Sequence, residues 1–312
     1  MRIITHEEIL NMKISPKCCY DWVSEVIRKK QQYVLPHKIS LKYQNDGFYN
    51  TMPSILQEEG YFGVKIVNRY SDREPSLDSK LMLYNLESGE LVALMDANFI
   101  TAMRTGAVAV HSINHLGKSD VKNLGVIGLG NTARAAIKIL AEVNKDNNYL
   151  IKLLKYKNQH ELFAKELSVY PNLKFEYRDS YEEVIKDSDV VISAATYFEE
   201  DIADDTWFKP GALLVPIHTR GFSSCDLSFD KVFADDTGHV AHFKNFSKFK
   251  KFGEVSDVVN HIIPGRENEQ ERILAYNIGI SLHDVYFASK IYEQYQGGTE
   301  VTMNHPEGKF WV

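Results

Sequence analysis

The stretch Asn123-Leu-Gly-Val-Ile-Gly-Leu-Gly-Asn-Thr-Ala-Arg-Ala-Ala-Ile-Lys-Ile-Leu140 joins an apolar run, a glycine turn and a helical repeat. Leu124, Val126 and Ile127 predict a buried strand, and Ala133, Ala136, Ile137 and Leu140 recur at helical spacing. Between them stands Gly128-x-Gly130-x-x-Ala133. In such a spacing the first glycine permits the tight turn and the second lets a pyrophosphate approach the backbone. The small third residue lets helix and strand pack closely, with the helix N-terminus facing the phosphates. The glycines alone are weak evidence, the alternative being an ordinary strand-to-helix turn. The flanking strand and helix are the context that a dinucleotide site requires.

Working outward, the C-terminal side continues as strand, helix, strand: an apolar run at 150–154, a helix around 162–167 and a strand at 173–177. A helix over 182–186 leads to two near-continuous apolar runs, 189–196 and 212–217, of the kind a parallel sheet covered on both faces demands. The segment 231–236 closes the series, and 271–295 reads as a helix apolar on nearly every side. The tail from 297 is polar and loop-like. On the N-terminal side, 100–116 is a helix rich in small residues, whose smallness implies close packing. Before it, Ser15-Pro16 opens an amphipathic helix of about five turns ending near Leu35-Pro36. Strands follow at 38–43, 52–55 and 62–67, with a turn at Asn45-Asp-Gly47, and a hairpin joins 81–84 to 91–95 through Asn85-Leu-Glu-Ser-Gly89. The chain therefore reads as α/β: a doubly wound Rossmann sheet plus an α+β lobe with a mainly antiparallel sheet.

With 312 residues the chain exceeds what one hydrophobic core usually serves, so two lobes are expected. A hydrophobic share of 44% with 25% charged residues is that of a folded globular chain rather than a disordered one. The net charge of −6 argues against a nucleic-acid or membrane partner, either of which wants a basic excess. Cys18, Cys19 and Cys225 form no C-x-x-C pair, which fits a reducing cytoplasm. Met-Arg-Ile-Ile-Thr-His lacks the apolar core of a signal peptide.

In their order along the chain, six motifs resemble the ornithine cyclodeaminase and mu-crystallin family over nearly its whole length. They are Gly63-Val-Lys65, the turn ending at Gly89, Ile100-Thr-Ala-Met-Arg-Thr105, the Gly128 loop, 189–196, and Pro264-Gly-Arg266 followed by the helix with Gly279. The resemblance implies a discontinuous substrate-binding and dimerisation lobe of residues 1–118 and 260–312, a Rossmann domain of 119–259, and an active site in the cleft between them. It implies a homodimer. Members of the family place a nicotinamide against the α-carbon of an amino or imino acid.

Arg104 lies in the small-residue helix, where a guanidinium is buried and needs an anion. It resembles the family arginine that grips the substrate α-carboxylate bidentately; a salt bridge to Asp96 is the alternative. Lys65 interrupts an apolar strand, and a lysine buried near Arg104 is fitted to exchange a proton with the substrate amine or carbonyl. The alternative is a strand end whose ammonium reaches water. Lys38 falls where the family commonly has an arginine on the carboxylate.

For the cofactor, Leu154-Lys-Tyr-Lys-Asn158 offers no acid for the ribose hydroxyls at the end of the second Rossmann strand. Lys155 or Lys157 suits a 2′-phosphate instead, which favours NADP(H) over NAD(H). By resemblance, Ala195 and Thr196 lie against the nicotinamide ribose. Gly128, Gly130, Asn131, Thr132, Ala133 and Arg134 surround the phosphates, and Thr105 joins the cofactor set.

The departures bear on the reaction. Ornithine cyclodeaminases carry an aspartate just after the strand here at 213–217, where this chain has His218-Thr219-Arg220-Gly221; a second acid, before Met52-Pro53, is Asn50. A δ-ammonium would meet a histidine and an arginine where it needs carboxylates, so ornithine fits poorly. His218 is either an acid or base of a different reaction or a satisfied structural histidine, and Arg220 suits a second substrate carboxylate. Two features are discounted. His239-x-x-His242 has helical spacing but no third ligand at metal-site spacing, so no metal is expected. Phe243, Phe246, Phe249 and Phe252, interleaved with Lys244, Lys248, Lys250 and Lys251, read as one edge packed on the core with the lysines in water, rather than as a nucleic-acid strip.

The expected function is NAD(P)(H)-dependent hydride transfer to or from the α-carbon of an amino or imino acid, of imine-reductase or dehydrogenase type. The alternatives are cyclodeamination with internal redox and ammonia release, or a binding protein that holds NADPH and a carboxylated ligand without turnover.

Overall fold

The computed structural model describes all residues except 45–46, 196–197, 304–307 and 310–312. The chain gathers into two compact units, one of Met1–Ile14, Gln32–Ile100 and Asp284–Val312, the other of Ser15–Gln31 and Thr101–His283.

The first unit carries β1 (Arg2–Ile4), β2 (Ile39–Tyr43), β3 (Gly47–Leu56), β4 (Tyr61–Arg69), β5 (Leu77–Asn85) and β6 (Leu91–Asp96). Strands β2 to β6 pair as successive antiparallel neighbours, and β1 adds to β6 in parallel. The expected hairpin joins β5 to β6: the Asn85 side chain accepts from the Glu87 and Ser88 amides, and Gly89 takes a φ of 72° that glycine adopts without strain. In β4 burial alternates, so that Gly63, Lys65, Val67 and Arg69 share the covered face. The helix Ser281–Gln294, which belongs to this unit from Asp284 onward, lies on that face. A β-carbon added to Gly63 would stand 2.7 Å from a Val285 methyl, so the missing side chain is what lets the helix come down on the strand.

The second unit carries β7 (Asn123–Ile127), β8 (Tyr149–Leu154), β9 (Leu173–Arg178), β10 (Val190–Ser193), β11 (Leu213–Pro216), β12 (Lys231–Ala234), β13 (Phe252–Glu254) and β14 (Ile273–Tyr276). They form one parallel sheet in the order β13-β12-β14-β11-β10-β7-β8-β9. Every residue of β10, β11, β12 and β14 is buried, as a sheet covered on both faces requires. From β7 the chain proceeds to β8 and β9 on one side and returns to β10 on the other, so the strand order reverses at β7 and β10. The small-residue helix, Asn98–Leu116, packs closely as expected: a β-carbon on Gly106 would stand 2.6 Å from the Ala136 amide nitrogen of the helix Asn131–Val143. The Phe243 to Phe252 edge packs on the core with its lysines exposed, also as expected.

Several elements differ from the sequence expectation. The stretch read as one helix over 271–295 is two elements, because Ile273-Leu-Ala-Tyr276 is a buried strand between β11 and β12 and the helix starts only at Ser281. A four-residue apolar run carries no period that separates strand from helix, and Gly279, at φ 94°, breaks the chain between the two. The series therefore does not close at 231–236. The N-terminal helix stops at Ile27, and a 3-10 turn at Lys30–Gln32 replaces its last turns. There Lys30 is buried, with its ammonium 2.6 Å from Glu254 and 3.0 Å from Asp236. In the tail, β15 (Thr299–Glu300) pairs antiparallel with β1. The expected turn at Asn45-Asp46 lies outside the described residues. Among the described residues no helix is long and apolar enough to cross a membrane.

Asp189 pins the amino edge of the parallel sheet. One carboxylate oxygen accepts the amides of Lys122 and Asn123 at 3.0 and 2.8 Å, and the other faces Lys118 at 2.9 Å and Lys209 at 2.8 Å. Burial pushes this carboxyl up, but Lys209, the Asn123 amide, Lys118 and the Lys122 amide together outweigh burial and hold it well below the usual carboxylate range. A depressed folded-state pKa contributes stability that is present above the unfolded value of about 3.9 and lost as pH falls through the folded one. Asp189→Asn is therefore expected to cost about 3 kcal/mol at neutral pH and to flatten the acid limb of stability, measured by urea titration at stepped pH. An unchanged midpoint at neutral pH would refute this role.

Candidate functional site

At the point where the strand order reverses, the turns after β7 and β10 touch. Gly128 has a φ of 82°, and a β-carbon there would lie 2.7 Å from the Ala194 carbonyl carbon and from the Ala195 Cα. Only glycine meets both demands. Around Gly130, by contrast, a β-carbon would meet nothing within 4 Å. The first glycine is thus fixed by packing, while the second leaves the backbone open. Gly130 is the N-cap of the helix Asn131–Val143 and supplies no side-chain cap to its first amides. Ala133 is fully buried and Thr132 half-buried. Bare backbone at a helix N-terminus, beside a switch point, is the geometry that receives a pyrophosphate, so the residues present fit a dinucleotide.

The sequence assigned Gly128, Gly130, Asn131, Thr132, Ala133, Arg134 and Ala195 to one place, and the structure brings them together there. Arg134 turns aside to Glu166 at 2.6 Å. Thr196 lies outside the described residues. At the end of β8, Lys155 and Lys157 are both exposed, but their surroundings differ. Lys155 is held 2.9 Å from Asp179, an acid that sequence reading did not consider because it comes from just past the next strand. Lys157 has a φ of 47° and sits over the exposed ring of Tyr156 at 5.4 Å.

Arg104 is buried, as expected. Its guanidinium lies against Gly279, where a β-carbon would stand 3.0 Å from Nη2 and 3.1 Å from Cζ. The Gly279 amide donates in turn to the carboxylate of Asp235, itself buried at the end of β12. Asp96, the alternative partner for Arg104, gives its oxygens to His6, Lys80 and Asn98. Thr105 is buried with its hydroxyl donating to the Thr101 carbonyl at 2.6 Å.

His218 follows β11 at the carboxyl edge of the sheet. Its Nε2 is 2.7 Å from the Ser193 hydroxyl at the end of β10. Burial pushes its pKa down to about 4, with a smaller upward pull from the Arg220 backbone. The Arg220 side chain is exposed.

In the antiparallel unit, Lys65 is fully buried, and its ammonium stands 2.7 Å from the carboxylate of Asp284, also fully buried. A strand end reaching water is thereby excluded. Lys38 is half-buried just before β2. Sequence reading missed Asp284, Asp235 and Ser193. Each acts through a partner distant in sequence, and no local spacing advertises it.

The family model described as ornithine cyclodeaminase/mu-crystallin matches residues 3–299. The nodulation efficiency protein NfeD of Rhizobium meliloti is 29% identical over 277 residues, 83% of each chain. The Delta(1)-pyrroline-2-carboxylate reductase of Bacillus thuringiensis subsp. konkukian is 24% identical over 292 residues, 85% of this chain and 87% of its own. Among solved structures, Thermococcus litoralis Delta(1)-pyrroline-2-carboxylate reductase, in complex with NADH and L-proline, has a TM-score of 0.86 at 24% identity, covering 96% of this chain and 100% of that one.

Proposed function

The chain belongs to the ornithine cyclodeaminase/mu-crystallin family, and from that premise we propose that it is an NAD(P)(H)-dependent oxidoreductase acting on the C=N or CH–NH bond of a small amino or imino acid. The observation that carries this reading is the open backbone over Gly130 beside the tightly packed Gly128 and Ala195 at the switch point. When bound there, a nicotinamide nucleotide supplies or accepts the hydride at the substrate α-carbon. This chain's residues do the rest. Arg104 binds the α-carboxylate through its planar fork, with Lys38 adding charge. Lys65, its charge balanced by Asp284, exchanges the proton at the substrate nitrogen. The loop amides from Asn131 to Arg134, with Thr105, Ala195 and Thr196, hold the nucleotide.

We assign a preference for NADP(H) to Lys157 and, shared with Asp179, Lys155, since the segment following β8 itself carries no acid. We also place the protein in the cytoplasm, where Cys18, Cys19 and Cys225 stay reduced. A homodimer is supported by β2, an edge strand on which Ile39, Leu41 and Tyr43 form an apolar row exposed by 59%, 60% and 47%. Neither nucleic acid nor a membrane is a partner in this reading, and no metal takes part.

The test is to supply NADPH or NADH with a panel of cyclic and open-chain imino acids, following nicotinamide absorbance and ammonia together. Stoichiometric oxidation of NADPH is the expected result. Ammonia release without net absorbance change would instead indicate cyclodeamination. Tight nucleotide and ligand binding without turnover would indicate a carrier.

A further inference from the structure

Resting on the oxidoreductase reading, we propose that Ser193 is a positioning residue for His218. Its buried hydroxyl donates to Nε2 and fixes the ring as the uncharged form protonated on Nδ1, so that this edge of the sheet selects substrates with an uncharged side chain over those with a distal ammonium.

The geometry starts with Ser193, which is fully buried at the end of β10. Its backbone carbonyl accepts the Ile217 amide at 2.8 Å, and its hydroxyl meets His218 at 2.7 Å. One residue therefore grips both the backbone before the imidazole and the imidazole itself. The ring stands between Phe198, edge-on at 5.2 Å, and Phe222, stacked at 6.0 Å with an interplanar angle of 21°. Gly221, at φ 99°, makes room for this wall, since a β-carbon there would lie 2.9 Å from the Phe198 ring. Two phenylalanines and burial favour the uncharged imidazole.

A neutral imidazole has one N–H and one lone pair. The fully buried serine hydroxyl gives its proton to the lone pair of Nε2, which leaves the N–H on Nδ1. Nδ1 is buried with no hydrogen-bond partner among the described residues, and carrying the N–H it offers no lone pair. His218 takes no proton from the substrate in this arrangement, and the proton exchange rests on Lys65. An ammonium brought against this wall would give up hydration for two aromatic faces and an uncharged ring, with nothing to compensate it. A cyclic imine or an alkyl side chain gives up no such hydration.

Nitrogen-15 NMR of histidine-labelled protein tests the first half, with His218→Asn assigning the signal. The expected result is an unprotonated Nε2, a protonated Nδ1 and no titration between about pH 5 and pH 8. Ser193→Ala should release the tautomer and lower kcat/KM for pyrroline-2-carboxylate about tenfold, and Ser193→Thr, which keeps the hydroxyl, should restore both. A purely structural serine would change stability and leave the tautomer unmoved. For the second half, oxidation of L-proline should exceed that of L-ornithine by about a hundredfold in kcat/KM, and His218→Asp should narrow the ratio. A His218 titrating near its ordinary value, an Nε2-protonated ring, or a wild-type preference for ornithine would each overturn the proposal. Should no imino acid consume either nucleotide, the oxidoreductase reading fails, while the NMR result still decides the role of Ser193.

Discussion

Arg104→Ala is expected to lower kcat/KM by about 30- to 4,000-fold, because removing one partner of a buried, hydrogen-bonded charge pair costs about 2–5 kcal/mol and each 1.4 kcal/mol is tenfold. Arg104→Lys should recover little of this, since an ammonium keeps the charge but not the planar fork that meets both carboxylate oxygens. The more discriminating variant is Gly279→Ala. A β-carbon there overlaps the guanidinium at Nη1, and at φ 94° an alanine is strained as well, so Arg104 must move although it is chemically intact. We expect Gly279→Ala to reproduce the loss seen with Arg104→Lys, mostly as a raised KM, while NADPH binding measured by fluorescence stays within about twofold of wild type. If Arg104→Ala kept the wild-type KM for a carboxylated substrate, the carboxylate clamp would have to be sought elsewhere.

How much of this was legible beforehand depends on whether the information is local. The glycine turn is local: Gly128 and Gly130 have different reasons to be glycine, one packing and one openness, and their spacing from Ala133 reports both. The small-residue helix was legible because Gly106 must accept the backbone of a neighbouring helix. The short helix His6–Asn11, not named among the expected elements, is legible too, since Thr5 and Glu8 form a capping box that the sequence spells out. By contrast β14 is four buried apolar residues with no period, and its place between β11 and β12 follows from topology alone. The polar partners are the hardest to foresee. Ser193 reads as part of an apolar run, Asp235 as the end of another, and Asp179 neutralises Lys155 from just past β9, 24 residues on. Absence of an acid at the end of β8 was therefore a true observation of the sequence, but an acid stands beside that position all the same.

The same argument applies with most force to Lys65 and Asp284, separated by 219 residues and joined at 2.7 Å where neither is exposed. Removing either partner alone strands a charge in a dry interior and costs about 3–5 kcal/mol, so Lys65→Ala confounds lost chemistry with lost stability. A paired replacement separates them. Lys65→Met combined with Asp284→Leu exchanges the ion pair for apolar groups of similar volume, which for buried pairs is often neutral or stabilising, so the double variant should unfold within about 1–2 kcal/mol of wild type. Having no group at this position to move a proton, it should nevertheless lose about 10²- to 10⁴-fold in kcat, the usual reach of general acid–base catalysis, with nucleotide affinity retained. Asp284→Asn is the milder probe. It keeps the shape and a hydrogen-bond acceptor but leaves the ammonium uncompensated, and should shift the pH dependence of kcat as well as its height. Turnover at the wild-type rate in the stable double variant would show that the pair only fastens the helix Ser281–Gln294 to β4, and the proton carrier would have to be another residue.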